Sequence, residues 1–255
     1  MDSNELAALR AAGYTRVPVV RHVRADLDTP LSAYLKLVDG TDAYLLESVE
    51  GSETWGRYSI IGLPARERIE VRGRQWRRLL DGVEIEQRTV ADPLAEVQAL
   101  IASERVPTSP GLPAFAGGWV GYFAFETLAY IEPKLDRPER KDELGTPEIV
   151  LLRTEELAVF DNRRGRLSLI VHADTQEAGA IERAERRLDR LTHRLRAPAP
   201  GYPEVLDPQA LDEAHFVSGF TREQFEDAVR RCQDYILAGD AFQIVVSQRF
   251  STPCD

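Results

Sequence analysis

Residues 43–62 read AYLLESVEGSETWGRYSIIG. The apolar run Ala43-Tyr44-Leu45-Leu46 leads straight into Glu47-Ser48, a polar, Gly-bearing connection fills 50–56, and a second β-rich run, Arg57 to Ile61, is closed by Gly62. Two short β-type runs around a Gly/Ser turn predict paired or neighbouring strands. A carboxylate and a hydroxyl therefore stand where an apolar strand ends. Glu47 can receive an ammonium group, Ser48 can hydrogen-bond a carboxylate or amine, and the apolar wall beside them can seat a side chain. That combination suits an amino-acid pocket, since small-molecule sites are mostly apolar with a few placed polar groups. Spacing alone leaves a second reading open, an ordinary strand end whose Glu and Ser face water.

Outward from this stretch, hairpins dominate. Arg66 to Val71 turns at Arg72-Gly73 into Gln75 to Leu80, and Asp81-Gly82 turns that strand into Val83 to Val90. Asp-Gly between alternating segments is a strong hairpin signal. Further strands are expected at Val17 to Val23 (interrupted by Pro18), Glu148 to Arg153, Leu157 to Phe160 and Leu167 to Val171. Helices are expected at Ser3 to Ala12, after Thr29-Pro30 with an apolar stripe of Leu31, Tyr34, Leu35 and Val38, and after Asp92-Pro93. Another is expected after Asp174, which with Glu177 forms a capping box. Few βαβ alternations occur, so the predicted class is α+β: large, mostly antiparallel, sandwich-like sheets with helices packed outside. Residues 117–132, GGWVGYFAFETLAYIE, carry Trp119, Tyr122, Phe123 and Phe125 and read mostly as core, with a ligand-cradling turn at Gly117-Gly118 as the other option.

Residues 197–219 hold four prolines and little periodicity, which marks a linker between residues 1–196 and 220–255. Beyond it, Thr221-x-x-Gln224 is a capping box. Phe225, Val229, Cys232 and Ile236 then predict one buried helix face, and Phe242 to Phe250 a strand. Net charge is -10, from 32 Lys+Arg against 42 Asp+Glu, which argues against a general nucleic-acid or anionic-membrane binder. No run approaches membrane length. The N-terminus reads as a short amphipathic helix rather than a signal peptide. Two cysteines, Cys232 and Cys254, lack paired spacing, so a reducing cytoplasm is the expected compartment.

LLES at 45–48 followed by GRYSIIG at 56–62 resembles the feedback-site segment of anthranilate synthase component I, the chorismate-using large subunit of tryptophan biosynthesis. The Gly117-Gly118-x-x-Gly121-Tyr122 run is similar to a strand of that family, with Phe125-Glu126 where Tyr-Asp is common. Gly239-Asp240-Ala241-Phe242-Gln243 and Ser247-Gln248-Arg249-Phe250 resemble the opening of its chorismate-binding domain. The resemblance implies that Leu46, Glu47 and Ser48 belong to an inhibitory L-tryptophan site. It makes residues 1–196 the regulatory domain, and 220–255 the start of the catalytic domain, within which the chain is expected to stop.

Relatives that form isochorismate or salicylate place a water-activating lysine where this chain has Gln243. Glutamine does not titrate and cannot act as a general base. Gln243 therefore points to the branches that use ammonia, while orientation within the sheet is its structural alternative. The implied reaction takes chorismate and ammonia to anthranilate and pyruvate, with magnesium on the substrate carboxylate and ammonia delivered by a separate glutaminase subunit. Magnesium takes oxygen ligands. In the family those ligands and the catalytic residues lie past the position of Asp255, so no catalytic or metal residue is expected here, and the chain by itself is expected to be inactive. Two alternatives remain, component I of aminodeoxychorismate synthase and a non-catalytic module that senses tryptophan or docks the glutaminase.

Overall fold

Period-two runs of Val, Ile, Leu and Tyr fold as strands in the computed structural model, which describes residues 3–24, 26–47, 57–108, 111–113, 115–135, 142, 144–198 and 215–253. The chain divides into two compact units, Met1–Pro200 and Gly201–Asp255. The first runs α1 (Ser3–Ala11), β1 (Arg16–Arg24), α2 (Pro30–Leu37), β2 (Tyr44–Glu47), β3 (Tyr58–Gly62), β4 (Glu67–Arg72), β5 (Gln75–Leu80) and β6 (Val83–Thr89). It continues through α3 (Pro93–Ala102), β7 (Gly118–Phe123), α4 (Leu128–Ile131), β8 (Ile149–Thr154), β9 (Glu156–Asp161), β10 (Arg166–Asp174) and α5 (Ala180–Leu195).

These strands form two five-stranded antiparallel sheets, one ordered β1-β10-β9-β3-β2 and the other β6-β5-β4-β8-β7. Only Glu155 separates β8 in the second sheet from β9 in the first. The α+β class expected from the hairpins holds. In the first sheet, Val17, Ile61, Phe160, Leu167 and Leu169 pack against Leu37 of α2 and Leu188 and Leu191 of α5. The opposite face buries Leu157, Val159 and Ile170 beneath Leu112, Phe115 and Ala116. Central β10 is thus covered on both sides, which explains why Leu167 to Ala173 are buried without alternation. The second sheet builds a separate core of Ile69, Val71, Trp76, Ile149 and Leu151 with Val97 of α3.

Turn chemistry follows the sequence closely. Asp81 and Gly82 take φ of 50° and 77°, the left-handed pair that a two-residue hairpin loop requires. Thr29 caps α2 through a capping box with Ser32, and Asp92 caps α3 by accepting from the N–H groups of Leu94 and Ala95.

Five expectations are corrected. Pro18 does not interrupt β1, because β1 is an edge strand and needs no donor on its outer side. The α2 stripe is rotated: Ala33 and Leu37 are buried with Tyr34 and Val38 half-buried beside them, whereas Leu31 and Leu35 face outward. Asp174 does not cap α5. It accepts from Gln176 N (2.8 Å) in the preceding turn, and the helix starts after Gly179, whose φ of 68° places it in the left-handed region. Of the aromatic run of β7 only Trp119 packs against the second-sheet core, whereas Tyr122, Phe123 and Phe125 are exposed along an edge strand and its exit.

The fifth correction concerns the second unit, which holds β11 (Val217–Ser218), α6 (Arg222–Ala238) and β12 (Phe250–Ser251). The expected strand at Phe242 to Phe250 pairs only at its last residue, through the ladder of β11 with β12. Just before it the Arg249 carbonyl accepts from Gly219 N (2.9 Å), and residues 242–249 form no strand. The Thr221–Gln224 capping box and a left-handed Gly239 (φ 83°) bound α6 as its sequence indicates. No residue of α6 is buried, however, so Phe225, Val229 and Cys232 are half-buried and Ile236 is exposed. The turn expected at 50–56 and residues 199–214 of the expected linker lie outside the described residues.

Candidate functional site

The β2–β3 hairpin closes one edge of the first sheet, with Tyr44 opposite Gly62, Leu45 opposite Ile61, Leu46 opposite Ile60 and Glu47 opposite Ser59. Alternation sets the faces. Leu45 and Glu47 occupy the face covered by α2, where Leu45 packs against the core, while Leu46 occupies the other face and is 48% exposed. Glu47, the last residue of the strand, is exposed. Glu47 and Leu46, both expected in one site, thus stand on opposite faces at the open end of an edge strand. Ser48, the third expected member of the site, lies outside the described residues.

Two anchors hold this hairpin, and neither was expected from the sequence. At its base the Tyr44 ring lies directly over Gly62, so close that a Cβ on Gly62 would sit 2.1 Å from Tyr44 Cε1. The Tyr44 hydroxyl meets Thr154 Oγ1 at 2.9 Å, tying the first sheet to the last residue of β8. Burial pushes the phenol up to about 12, the Thr154 hydrogen bond opposing the shift. At the far end Arg57 grips buried Asp161 with two hydrogen bonds, Nε to Oδ1 at 3.1 Å and Nη2 to Oδ2 at 2.7 Å, and its guanidinium lies 4.7 Å from the Tyr58 ring centroid. The Arg57 hydrogen bond holds the Asp161 carboxyl below its ordinary range. A signal for the base anchor did exist in the sequence, a glycine directly after Ile60-Ile61 at a strand end, which often marks a close approach.

In the Gly117-Gly118 turn, Gly117 serves packing, while open space surrounds Gly118. Gly117 has φ of 139°, and a Cβ there would meet His172 Nε2 at 2.3 Å. His172 is buried and its Nε2 donates to the carbonyl of Ala116 (2.6 Å). Burial lowers its pKa, so the ring is neutral. Gln243 belongs to the second unit, on the irregular segment after α6, where it is exposed. Among the described residues no three His, Cys, Asp or Glu side chains come together to hold a metal ion. No helix among them is long and apolar enough to cross a membrane.

A family model described as chorismate binding enzyme matches residues 43–255. Anthranilate synthase component 1 of Pseudomonas aeruginosa is 48% identical over 98% of this chain and 51% of its own length. The Neisseria meningitidis protein of the same name is 41% identical, again over 98% of this chain and 51% of its own. A crystal structure of anthranilate synthase component I from Streptococcus pneumoniae superposes with a TM-score of 0.63 at 28% identity, covering 91% of this chain and 49% of that one. The chain therefore spans about half the length of the curated relatives it matches.

Proposed function

From its membership of the chorismate-binding enzyme family, to which the chain belongs, we infer that it is the regulatory half of an anthranilate synthase large subunit. On this reading the complete protein adds ammonia to chorismate and releases pyruvate, and L-tryptophan inhibits it. A glutaminase subunit supplies the ammonia. Magnesium would supply charge neutralisation at the substrate carboxylate.

The observation that carries the regulatory assignment is the placement of Glu47 at the exposed end of an edge strand anchored at Tyr44 and Arg57. An exposed carboxylate at a fixed strand end can pair with an α-ammonium group. Leu45, half-buried on the same face as Glu47, offers apolar surface beside it, whereas Leu46 stands on the opposite face, and Ser48 follows as the next polar group in sequence. Anchoring lowers the ordering cost of binding, because a preorganised carboxylate loses little freedom. Gln243, as a side chain that does not titrate, fits a branch whose nucleophile is already neutral ammonia.

The decisive assay uses the complete product of the gene with chorismate, magnesium and ammonium. Fluorescent anthranilate should form, and L-tryptophan should suppress it. Glu47→Gln and Ser48→Phe should relieve inhibition by tenfold or more while leaving uninhibited turnover intact. Formation of aminodeoxychorismate instead, or equal loss of turnover and inhibition in both variants, would refute the reading. The 255-residue chain alone should give no anthranilate under the same conditions.

A further inference from the structure

One row of the first sheet runs straight across all five strands, from Val23 through Leu167, Phe160 and Ser59 to Glu47. Directly opposite residues share a face, so these five side chains line up on the side packed by α2 and α5. Val23, Leu167 and Phe160 belong to the apolar core there. Glu47 ends the row at the open edge, where it is exposed. Between the core and the carboxylate stands Ser59, only 1% exposed. A hydroxyl at such a place costs a desolvation that alanine would avoid, unless hydrogen bonds offset it.

Asn162 Nδ2 donates to Ser59 Oγ (3.2 Å), and Asn162 is itself fixed by donating its backbone N–H to the Arg57 carbonyl (2.8 Å). The first of these bonds uses the serine oxygen as an acceptor and leaves the hydroxyl proton to be given onward. Receiving one hydrogen bond polarises a hydroxyl and strengthens the next one it donates. On one side of Ser59 in the row Phe160 offers no acceptor, and on the other side the Glu47 carboxylate only accepts. Opposite residues of an antiparallel pair have Cβ atoms about 4.5–5.5 Å apart, a gap that a glutamate side chain and a serine hydroxyl can close.

We propose that Ser59 is a positioning residue of the effector site: its hydroxyl, oriented by Asn162, donates to the Glu47 carboxylate and keeps it aimed at the ammonium group of an amino-acid effector. This role rests on the reading of Glu47 as an effector ligand. Buried as it is, Ser59 acts through Glu47 and does not touch the effector. A carboxylate already held by a charge-assisted hydrogen bond loses little further freedom when the ammonium group arrives.

Inhibition of the complete gene product by L-tryptophan, scored against each variant's own uninhibited rate, tests it. Ser59→Ala should raise the half-inhibiting tryptophan concentration about tenfold, the weight of one hydrogen bond to a charged group. Ser59→Cys, which nearly keeps the volume but donates weakly, should do the same. In a Glu47→Ala background Ser59→Ala should add less than about twofold, because the carboxylate it served is gone. Unchanged inhibition in Ser59→Ala would overturn the proposal. So would wild-type behaviour in Ser59→Cys, since volume rather than the hydroxyl would then matter. A further tenfold loss in the Glu47→Ala background would overturn it as well, by showing that Ser59 acts independently of Glu47. An unaltered enzyme indifferent to tryptophan would overturn the effector reading and this role with it, a failure seen before any variant is made.

Discussion

Gly62→Ala should destabilise the first unit by about 2 kcal/mol, although alanine is ordinarily the better strand residue. In a compatible site a Gly-to-Ala change stabilises by about 0.4–1 kcal/mol, because it narrows the unfolded ensemble. Gly62 is not such a site. Its added Cβ would stand 2.1 Å from Tyr44 Cε1, 2.2 Å from Cζ and 2.7 Å from Cδ1. Carbon atoms pack at about 3.5–4 Å, so the ring must retreat by roughly 1.5 Å. Its hydroxyl is held 2.9 Å from Thr154 Oγ1, and a shift of that size breaks the bond at a cost of about 1 kcal/mol. Overpacking adds about 1–3 kcal/mol, and the net after the entropic gain is about 2. Denaturant unfolding followed by tryptophan fluorescence would read this directly, and the thermal midpoint should fall by roughly 4–8 °C. Tyr44→Leu combined with Gly62→Ala should cost at least about 1 kcal/mol less than the sum of the single changes, because the clash vanishes with the ring. A Gly62→Ala protein within about 0.5 kcal/mol of wild type would refute the close-approach argument.

Three further outcomes follow from the same geometry. In a spectrophotometric titration one tyrosine should ionise only near pH 12, and Tyr44→Phe should remove that step. Its folded pKa lies above the unfolded value of about 10, so its contribution to stability is complete below pH 10 and is lost as pH rises through the folded value. Asp161 behaves oppositely: Arg57 depresses its folded pKa, so its contribution is present above the unfolded value of about 3.9 and disappears as pH falls through the folded one. Asp161→Asn should accordingly cost about 2 kcal/mol at neutral pH and flatten that part of the acid limb, measured by urea unfolding at stepped pH. Leu188→Ala, at a fully buried position of α5, should cost about 3 kcal/mol, with a smaller loss if the helix settles onto the sheet.

The hairpins from Glu67 to Thr89 were legible because their determinants are local: alternation within each strand, and Asp81-Gly82 between two of them. Pairing of β2 with β3 was legible for the same reason. That β3 also pairs with β9, and β1 with β10, was not, since nothing local links Ser59 to Phe160 or Val17 to Ala173. Face assignment failed where the partner is distant. Leu31 and Leu35 look like a stripe in isolation, yet the small Ala33 is what lets α2 sit close to its neighbours. At the candidate site Glu47 could be found from its position at a strand end. Thr154, 110 residues away, could not be found as the partner of Tyr44.

The pairing of β1 with β10 has a consequence in time. Val17 stands opposite Ala173 and Val19 opposite Val171, so the first strand finds its only ladder partner among the described residues roughly 150 residues later. At about 5–20 residues per second, a ribosome needs roughly ten to thirty seconds to deliver that partner. Until then the backbone groups of a valine-rich strand have no ladder to join, although Leu37 and Ile61 of the same core are made early. Synthesis order, rather than final stability, decides when this half of the molecule can close.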